Sequence, residues 1–162
     1  MKNICIGLFE GEALPESLAA FKDVKLDLEF GKITTIHTLN QLDCEKIVVV
    51  GLGDGKKNIK EAFSKVEADD YLVYVNENTA YAAGFGLVYG AYSYKETKVY
   101  DLESDGYTAE FEKGKTVASI VNHARELSDM PANFLTPDHL VDEAKVVSEK
   151  YGMEIEILNQ ED

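Results

Sequence analysis

A short glycine-rich segment is the first place in this sequence where residue types and spacing could support ligand chemistry. Gly51-Leu52-Gly53-Asp54-Gly55 directly follows an apolar run and precedes a helical pattern. Open α/β sheets place ligands at such turns, and glycines let backbone N–H groups approach a phosphate. The segment is not a P-loop, and Lys56 stands where a dinucleotide fingerprint needs its last glycine. A structural turn is the leading interpretation; phosphate or nucleotide binding through Gly51, Gly53, Asp54 and Gly55 is the open alternative.

Acid–base, nucleophilic and metal chemistry find no support in the other residues. His37, His123 and His139 lie far apart, and none forms the H-x-x-x-H or H-E-x-x-H spacing of a zinc site. Ser128-Asp129 and His123 share one helical stretch, which supplies neither a nucleophile elbow nor an oxyanion hole. We therefore predict no catalytic residue and no metal ligand within residues 1–162.

The net negative charge of the chain limits which classes of binding partner are expected. The 162 residues include 16 Lys and Arg against 30 Asp and Glu, a formal net charge of −14. Such a surface repels phosphate backbones, so we expect neither a nucleic-acid nor a membrane partner. Cys5 and Cys44 lie in or beside apolar runs, which predicts buried free thiols. Together with a start that lacks a secretory signal pattern, this predicts a cytoplasmic location.

Strand patterns recur along the chain. Residues 47–50 are continuously apolar, as in a central strand. Residues 24–30 alternate with period two, and Gly31-Lys32 predicts a hairpin turn between them and the next strand. The segments predicted as strands are 3–9, 24–30, 33–39, 47–50, 71–75, 98–102 and 154–158.

Helical patterns lie between these strands. They cover 58–68, 79–94 and 115–127, and a fourth begins at Thr136-Pro137 and stops at Gly152. Ala82, Gly86 and Gly90 form a small-residue stripe that predicts a close approach to a sheet. Residues 101–112 are acidic and predict a surface connection. The alternation predicts an α/β fold, with a mixed, mostly parallel sheet and helices on both faces.

The most specific stretch runs from Ala124 to Pro137, A-R-E-L-S-D-M-P-A-N-F-L-T-P. Its residue types predict a helix ended by Pro131, a corner, and a new helix capped by Thr136. The stretch resembles A-R-x-L-x-N-x-P-A-N-x-L-T-P, which opens the catalytic domain of the leucyl aminopeptidase (cytosol aminopeptidase, M17) family. Asp129 departs from the asparagine usual there. Residues 48–53 and 82–95 also resemble the family's G-L-G strand end and small-residue helix.

This resemblance implies a domain plan. Residues 1–112 would form a macro-domain-like N-terminal domain, 113–130 a connecting helix, and 131–162 the leading segment of a catalytic domain. The apolar residues of that segment, Leu140, Ala144, Val147 and Tyr151, would then need a partner. The family's motifs V-G-K-G-x-x-F-D-S-G-G and N-T-D-A-E-G-R-L, which hold its two divalent metals, do not occur in the chain.

The resemblance also implies a function. The parent would release N-terminal amino acids from peptides with two zinc or manganese ions bound in a larger C-terminal domain. This piece would hold no cofactor, would not be an enzyme alone, and would serve assembly or regulation of a homo-oligomer, a hexamer in the full-length family. The alternative is a free-standing macro-type module that binds ADP-ribose or a nucleotide through residues 51–55.

Overall fold

The computed structural model describes residues 2–94 and 99–158. Its elements are β1 (Asn3–Leu8), a 3-10 helix (Glu16–Phe21), β2 (Ile33–His37), β3 (Lys46–Gly51), α1 (Ile59–Phe63), β4 (Tyr71–Tyr74), α2 (Ala80–Gly90), β5 (Leu102–Ser104), α3 (Thr108–Asp129) and α4 (Pro137–Tyr151). The chain divides into two compact units, Met1–His123 and Ala124–Asp162. The predicted boundaries after residues 112 and 130 stay predictions.

The first unit is built on a five-stranded sheet in the order β2-β3-β1-β4-β5. The pairs β1–β3, β1–β4 and β4–β5 are parallel, and β2 pairs antiparallel with β3. β1 is buried along its whole length, and β3 is buried from Ile47 onward. This confirms the predicted α/β fold with a mixed, mostly parallel sheet, because central strands covered on both faces read as continuous apolar runs.

Alternate residues of the central strands feed two core clusters on opposite faces of the sheet. Cys5, Val48 and Val50 belong to the helix-side cluster, which also contains residues of α1, α2 and the start of α3. Ile6 and Val49 belong to the second cluster, which the 3-10 helix covers with Leu18 and Phe21. Cys44 also lies in this second cluster. Both thiols are buried and free, as the sequence predicts, and they lie in different clusters.

Helix α2 approaches its neighbours through glycine. A Cβ added at Gly86 would lie 2.5 Å from the carbonyl oxygen of Lys60 in α1, and one at Gly84 would collide with the carbonyl oxygen of Phe111 in α3. Gly90 similarly meets the backbone of Ser64, just after α1. The predicted close approach is therefore real, but its partners are helices and not the sheet.

The predicted strand at 24–30 and the hairpin to 33–39 are wrong. Residues 24–30 form no strand, and β2 pairs with β3 instead. The segment crosses over Gly51, where an added Cβ would collide with the Glu29 carbonyl oxygen. Leu26 and Leu28 pack on the second cluster, which explains the alternation without a strand partner.

Other boundaries also differ. The strand predicted at 98–102 is displaced: residues 99–101 form no strand, and β5 runs from Leu102 to Ser104. Residues 95–98, including the first predicted residue, lie outside the described residues. Residues 101–112, predicted as a connection, hold β5 and the start of α3. Residues 154–158, predicted as a strand, form none, because no described strand pairs with them. The 3-10 helix was not predicted, and α1 and α2 end earlier than expected, at Phe63 and Gly90.

Candidate functional site

A cavity of about 320 Å³ opens at the carboxyl ends of the parallel strands β1 and β4. The chain leaves β1 towards the 3-10 helix on one face of the sheet, and leaves β4 towards α2 on the other. Neighbouring strands whose connections diverge in this way form a topological switch point, where open α/β sheets bind ligands. Gly7 and Leu8 of β1 and Val75, directly after β4, line the cavity.

The β4–α2 connection forms one wall of this cavity. The Asn76 side-chain oxygen accepts hydrogen bonds from the N–H groups of Asn78 (3.0 Å) and Thr79 (3.1 Å). In return, the Thr79 hydroxyl oxygen accepts from the Asn76 N–H at 3.0 Å. This reciprocal turn fixes the chain where it enters α2. Sequence reasoning missed the cavity; the polar run 76–79 directly after a predicted strand was the one local signal.

Two carboxylates line the rest of the cavity. Glu12 accepts a hydrogen bond from the Phe9 N–H at 2.8 Å, and Asp105 accepts one from the Val75 N–H at 2.9 Å. Both therefore hold backbone at the ends of the two strands. Their negative charge disfavours phosphate or another anion, so the cavity does not have the electrostatics of a nucleotide site.

The Gly51–Gly55 loop bonds to its own chain. The N–H groups of Gly51, Leu52 and Gly53 donate to the carbonyl oxygens of Lys32, Leu8 and Leu28, at 2.8, 2.9 and 3.0 Å. Gly53 and Gly55 have φ of 64° and 77°, the left-handed region that favours glycine. Three of the N–H groups that a phosphate would need are thus already bonded within the protein.

Asp54 in this loop is also engaged. Its carboxylate accepts a hydrogen bond from the Lys56 N–H at 3.1 Å and pairs with the Lys56 ammonium at 2.7 Å. The hydrogen bond from the Lys56 side chain lowers the pKa of Asp54, and the same contact raises the pKa of Lys56. The four predicted residues, Gly51, Gly53, Asp54 and Gly55, lie in one turn at the end of β3. The hydrogen bonds of this turn join it to neighbouring segments of the chain.

The histidines, cysteines and carboxylates of the described residues form no metal-binding cluster, and Ser128 and His139 contact backbone carbonyl groups. Within residues 2–94 and 99–158, no three His, Cys, Asp or Glu side chains come together as a metal site. His139 contacts the Phe134 carbonyl oxygen at 2.8 Å, and the Ser128 hydroxyl donates to the Ala124 carbonyl oxygen at 2.9 Å. Burial raises the pKa of the Cys5 thiol to about 12, so this sulfur is a poor nucleophile.

The segment 124–137 forms the predicted helix–corner–helix. Helix α3 ends at Asp129, and the N–H groups of Phe134 and Leu135 both donate to the Pro131 carbonyl oxygen. The Thr136 hydroxyl oxygen then accepts from the His139 N–H at 3.3 Å and caps α4. Gly152, at φ 64°, ends α4 in the left-handed conformation.

The second unit exposes many large apolar side chains. Tyr151 is 61% exposed, and Met153 and Leu158, in the segment after α4, are 53% and 76% exposed. The others are Phe134, Leu140, Val146, Val147, Ile155 and Ile157. Such a density of exposed apolar residues indicates a surface that another part of a protein covers. None of the helices in the described part of the chain is long and apolar enough to cross a membrane.

Sequence comparison finds relatives along most of the chain. A probable cytosol aminopeptidase of Exiguobacterium sibiricum is 32% identical over 155 residues, covering 82% of this chain and 32% of the relative. That of Alkaliphilus metalliredigens is 27% identical over 171 residues, covering 83% and 34%. The cytosol aminopeptidase of Rattus norvegicus is 33% identical over 142 residues, covering 68% and 26%. The chain thus spans about a third of the length of the curated relatives it matches. No family model matches it.

Structure comparison finds the same fold in longer proteins. The bottromycin maturation enzyme BotP superposes with a TM-score of 0.70 at 18% identity, covering 94% of this chain and 38% of that one. The cytosol aminopeptidase of Coxiella burnetii superposes with a TM-score of 0.68 at 17% identity, covering 99% and 38%. At these identities, the likeness establishes the fold alone.

Proposed function

This chain belongs to the leucyl aminopeptidase (cytosol aminopeptidase) family, and from that premise we propose that it is the non-catalytic N-terminal part of a longer metallo-exopeptidase. The proposal rests on the coverage of the two sequence alignments. They include 82–83% of this chain but only 32–34% of two bacterial cytosol aminopeptidases. A chain that aligns with only a third of its relatives corresponds to one part of the longer proteins.

The whole protein would release N-terminal amino acids from peptides, its substrates. Two divalent ions, zinc or manganese, would supply a water activated for attack on the peptide bond. The described residues do not fit such a centre, since no three His, Cys, Asp or Glu side chains among them come together. We assign this chain a role in the assembly or regulation of a cytoplasmic homo-oligomer, a hexamer as in the family.

The exposed apolar side chains of the second unit support the rest of the proposal. We infer that residues 131–158 begin the catalytic domain, whose further residues would cover the face containing Leu140, Val147 and Tyr151. Ile155 and Ile157, both exposed and outside any regular element, would become part of a strand when a neighbouring strand is present to pair with them. The strand predicted at 154–158 would then form in the longer protein.

The experiment compares the 162-residue chain with the same chain continued by its downstream reading frame. We expect that frame to encode roughly twice the length of this chain again, because the relatives are about three times as long, and to contain the metal-binding motifs. We expect the continued protein to hydrolyse leucine amide with manganese or zinc, and the 162-residue chain to remain inactive. Hydrolysis by the short chain, abolished by a chelator, would contradict the assignment.

A calorimetric titration with ADP-ribose tests the macro-type alternative, which no observation on the described residues favours. We expect no saturable heat, because the Gly51, Leu52 and Gly53 N–H groups are bonded internally and Asp54 is paired with Lys56. Micromolar binding that Asp54→Ala abolishes would support a ligand-binding module instead.

A further inference from the structure

The cavity at the carboxyl ends of β1 and β4 has no role in the proposed function. Its volume of about 320 Å³ lies within the range of pockets that bind small molecules, roughly 300–1,000 Å³. It opens at the switch point of the strand order, which is where open α/β sheets bind their ligands. The chemistry of its walls therefore indicates which class of ligand it could hold.

The backbone holds both carboxylates of the cavity wall in place. The Glu12 carboxylate accepts from the Phe9 N–H at 2.8 Å, and the Glu12 N–H donates to the Phe9 carbonyl oxygen at 3.0 Å. The Asp105 carboxylate accepts from the Val75 N–H at 2.9 Å, and the Asp105 N–H donates to the Val73 carbonyl oxygen at 3.1 Å. Both side chains are thus ordered before a ligand enters, which lowers the entropy cost of binding.

Each of these carboxylates can accept further hydrogen bonds. A carboxylate has two oxygens with about four acceptor positions, and the backbone N–H groups bond to Oε2 of Glu12 and Oδ1 of Asp105. The ion pairs among the described residues involve neither side chain. The second oxygen of each carboxylate can therefore accept from a donor that enters the cavity.

The rest of the wall is apolar or neutral. None of the eleven lining residues is Lys, Arg or His. Six of them have apolar or aromatic side chains: Ile6, Leu8, Ala13, Pro15, Tyr74 and Val75. A divalent metal ion needs several oxygen ligands, and no three His, Cys, Asp or Glu side chains of the described residues come together. The wall instead suits an organic cation, with one charged end and an apolar body.

We propose that this cavity binds a small primary amine in its ammonium form, with an apolar body. The ammonium group donates to the second carboxylate oxygens of Glu12 and Asp105, and such charge-assisted hydrogen bonds are about twice as strong as neutral ones. The apolar body lies against Ile6, Leu8 and Tyr74, which replaces water on those surfaces. This binding goes beyond the assembly role and does not depend on the aminopeptidase assignment.

Titration of the full 162-residue chain with phenethylamine, followed by amide NMR, tests the binding. Phenethyl alcohol is the neutral control ligand of nearly the same shape, and hydrocinnamate is the anionic one. We expect saturable shifts of the Gly7, Leu8 and Val75 N–H signals with the amine, about tenfold weaker binding of the alcohol, and none of the anion. Equal binding of the amine and the alcohol, or shifts that spread over the acidic surface without saturation, would overturn the proposal.

Substitutions that remove one charge locate the ammonium group. Glu12→Gln and Asp105→Asn keep an oxygen that can accept the backbone N–H, so we expect each variant to fold and to bind the amine about three- to tenfold more weakly. Glu10→Gln is the matched control, because it removes the same charge from the same connection but Glu10 does not line the cavity. We expect its affinity to be unchanged. If Glu10→Gln weakened binding as much as Glu12→Gln, the binding would reflect only the net charge of −14, and the proposal would be wrong. The three ligands on the wild-type chain decide the question if a variant fails to fold.

Discussion

Gly86→Ala offers a sharp test of the helix packing, because two opposite effects meet at this position. Inside an exposed helix, replacing glycine by alanine stabilises the fold by about 1 kcal/mol. Here the added Cβ would lie 2.5 Å from both the Lys60 carbonyl oxygen and the Phe63 Cβ, and 3.1 Å from the Ser64 nitrogen. Ordinary carbon contacts are about 3.5–4.0 Å, so α1 and α2 would have to separate by roughly 1 Å.

The magnitude follows from the rigidity of these neighbours. Overpacking of a core costs about 1–3 kcal/mol, and the upper part of that range applies because the contacted atoms are backbone or next to it. After subtraction of the helix-propensity gain, we expect a net loss of about 2 kcal/mol in the free energy of unfolding. For a chain of this size, that loss corresponds to a decrease in Tm of about 4–8 °C.

Urea unfolding followed by far-ultraviolet circular dichroism measures this loss. Gly106→Ala is the matched control, because an added Cβ there meets nothing within 4 Å; we expect it to change stability by less than about 0.5 kcal/mol. A Gly86→Ala variant as stable as the wild type, or more stable, would refute the argument. It would mean that helix propensity outweighs the contact and that α1 and α2 are not held at this distance.

Three further predictions concern a buried amide, an ion pair and the two thiols. Asn3→Ala removes a side chain that accepts hydrogen bonds from two backbone N–H groups at 3.0 and 3.2 Å, and it should lower the free energy of unfolding by about 2 kcal/mol in urea titrations. The Lys46 side chain lowers the pKa of Asp69. The stability from this contact is therefore full above the unfolded-state pKa, about 3.9, and is lost as the pH falls through the lower folded-state value; Lys46→Met should flatten that acid limb in unfolding curves measured against pH. Neither Cys5 nor Cys44 should react with a thiol reagent at pH 8 until urea unfolds the chain, because burial raises the pKa of both.

The central strands could be predicted from the sequence, because burial on both faces requires a continuous run of apolar residues, which is visible locally. Ile47, Val48, Val49 and Val50 can only be satisfied between two apolar layers. The alternation at residues 24–30 is equally clear, yet it records only that Leu26 and Leu28 face a core while their neighbours face water. An irregular segment that crosses a sheet satisfies that pattern as well as a strand does, and which of the two forms depends on the backbone that lies beside it.

Features that depend on distant pairing could not be predicted. β5 has three residues in an acidic stretch, and its register with Tyr71, Leu72 and Val73 of β4 defines it as a strand. The cavity between the ends of β1 and β4 exists because the strand order is β2-β3-β1-β4-β5. No local motif encodes that order. The glycine-rich loop, by contrast, has a clear local signal, and its tertiary contacts show why the glycines are there.

The contacts of α2 reverse the usual relation between residue size and tolerance to mutation. Because Gly84, Gly86 and Gly90 meet neighbouring backbone directly, even one extra methyl group at these positions meets atoms that cannot rotate away. Tyr81 and Tyr89 on the same helix are half-buried and stack on Phe85, so trimming either one removes a ring contact without forcing backbone segments apart. In a saturation library of this helix, we therefore expect most of the destabilised variants at the glycine positions. We also expect homologues with the same packing to have residues without a large side chain there.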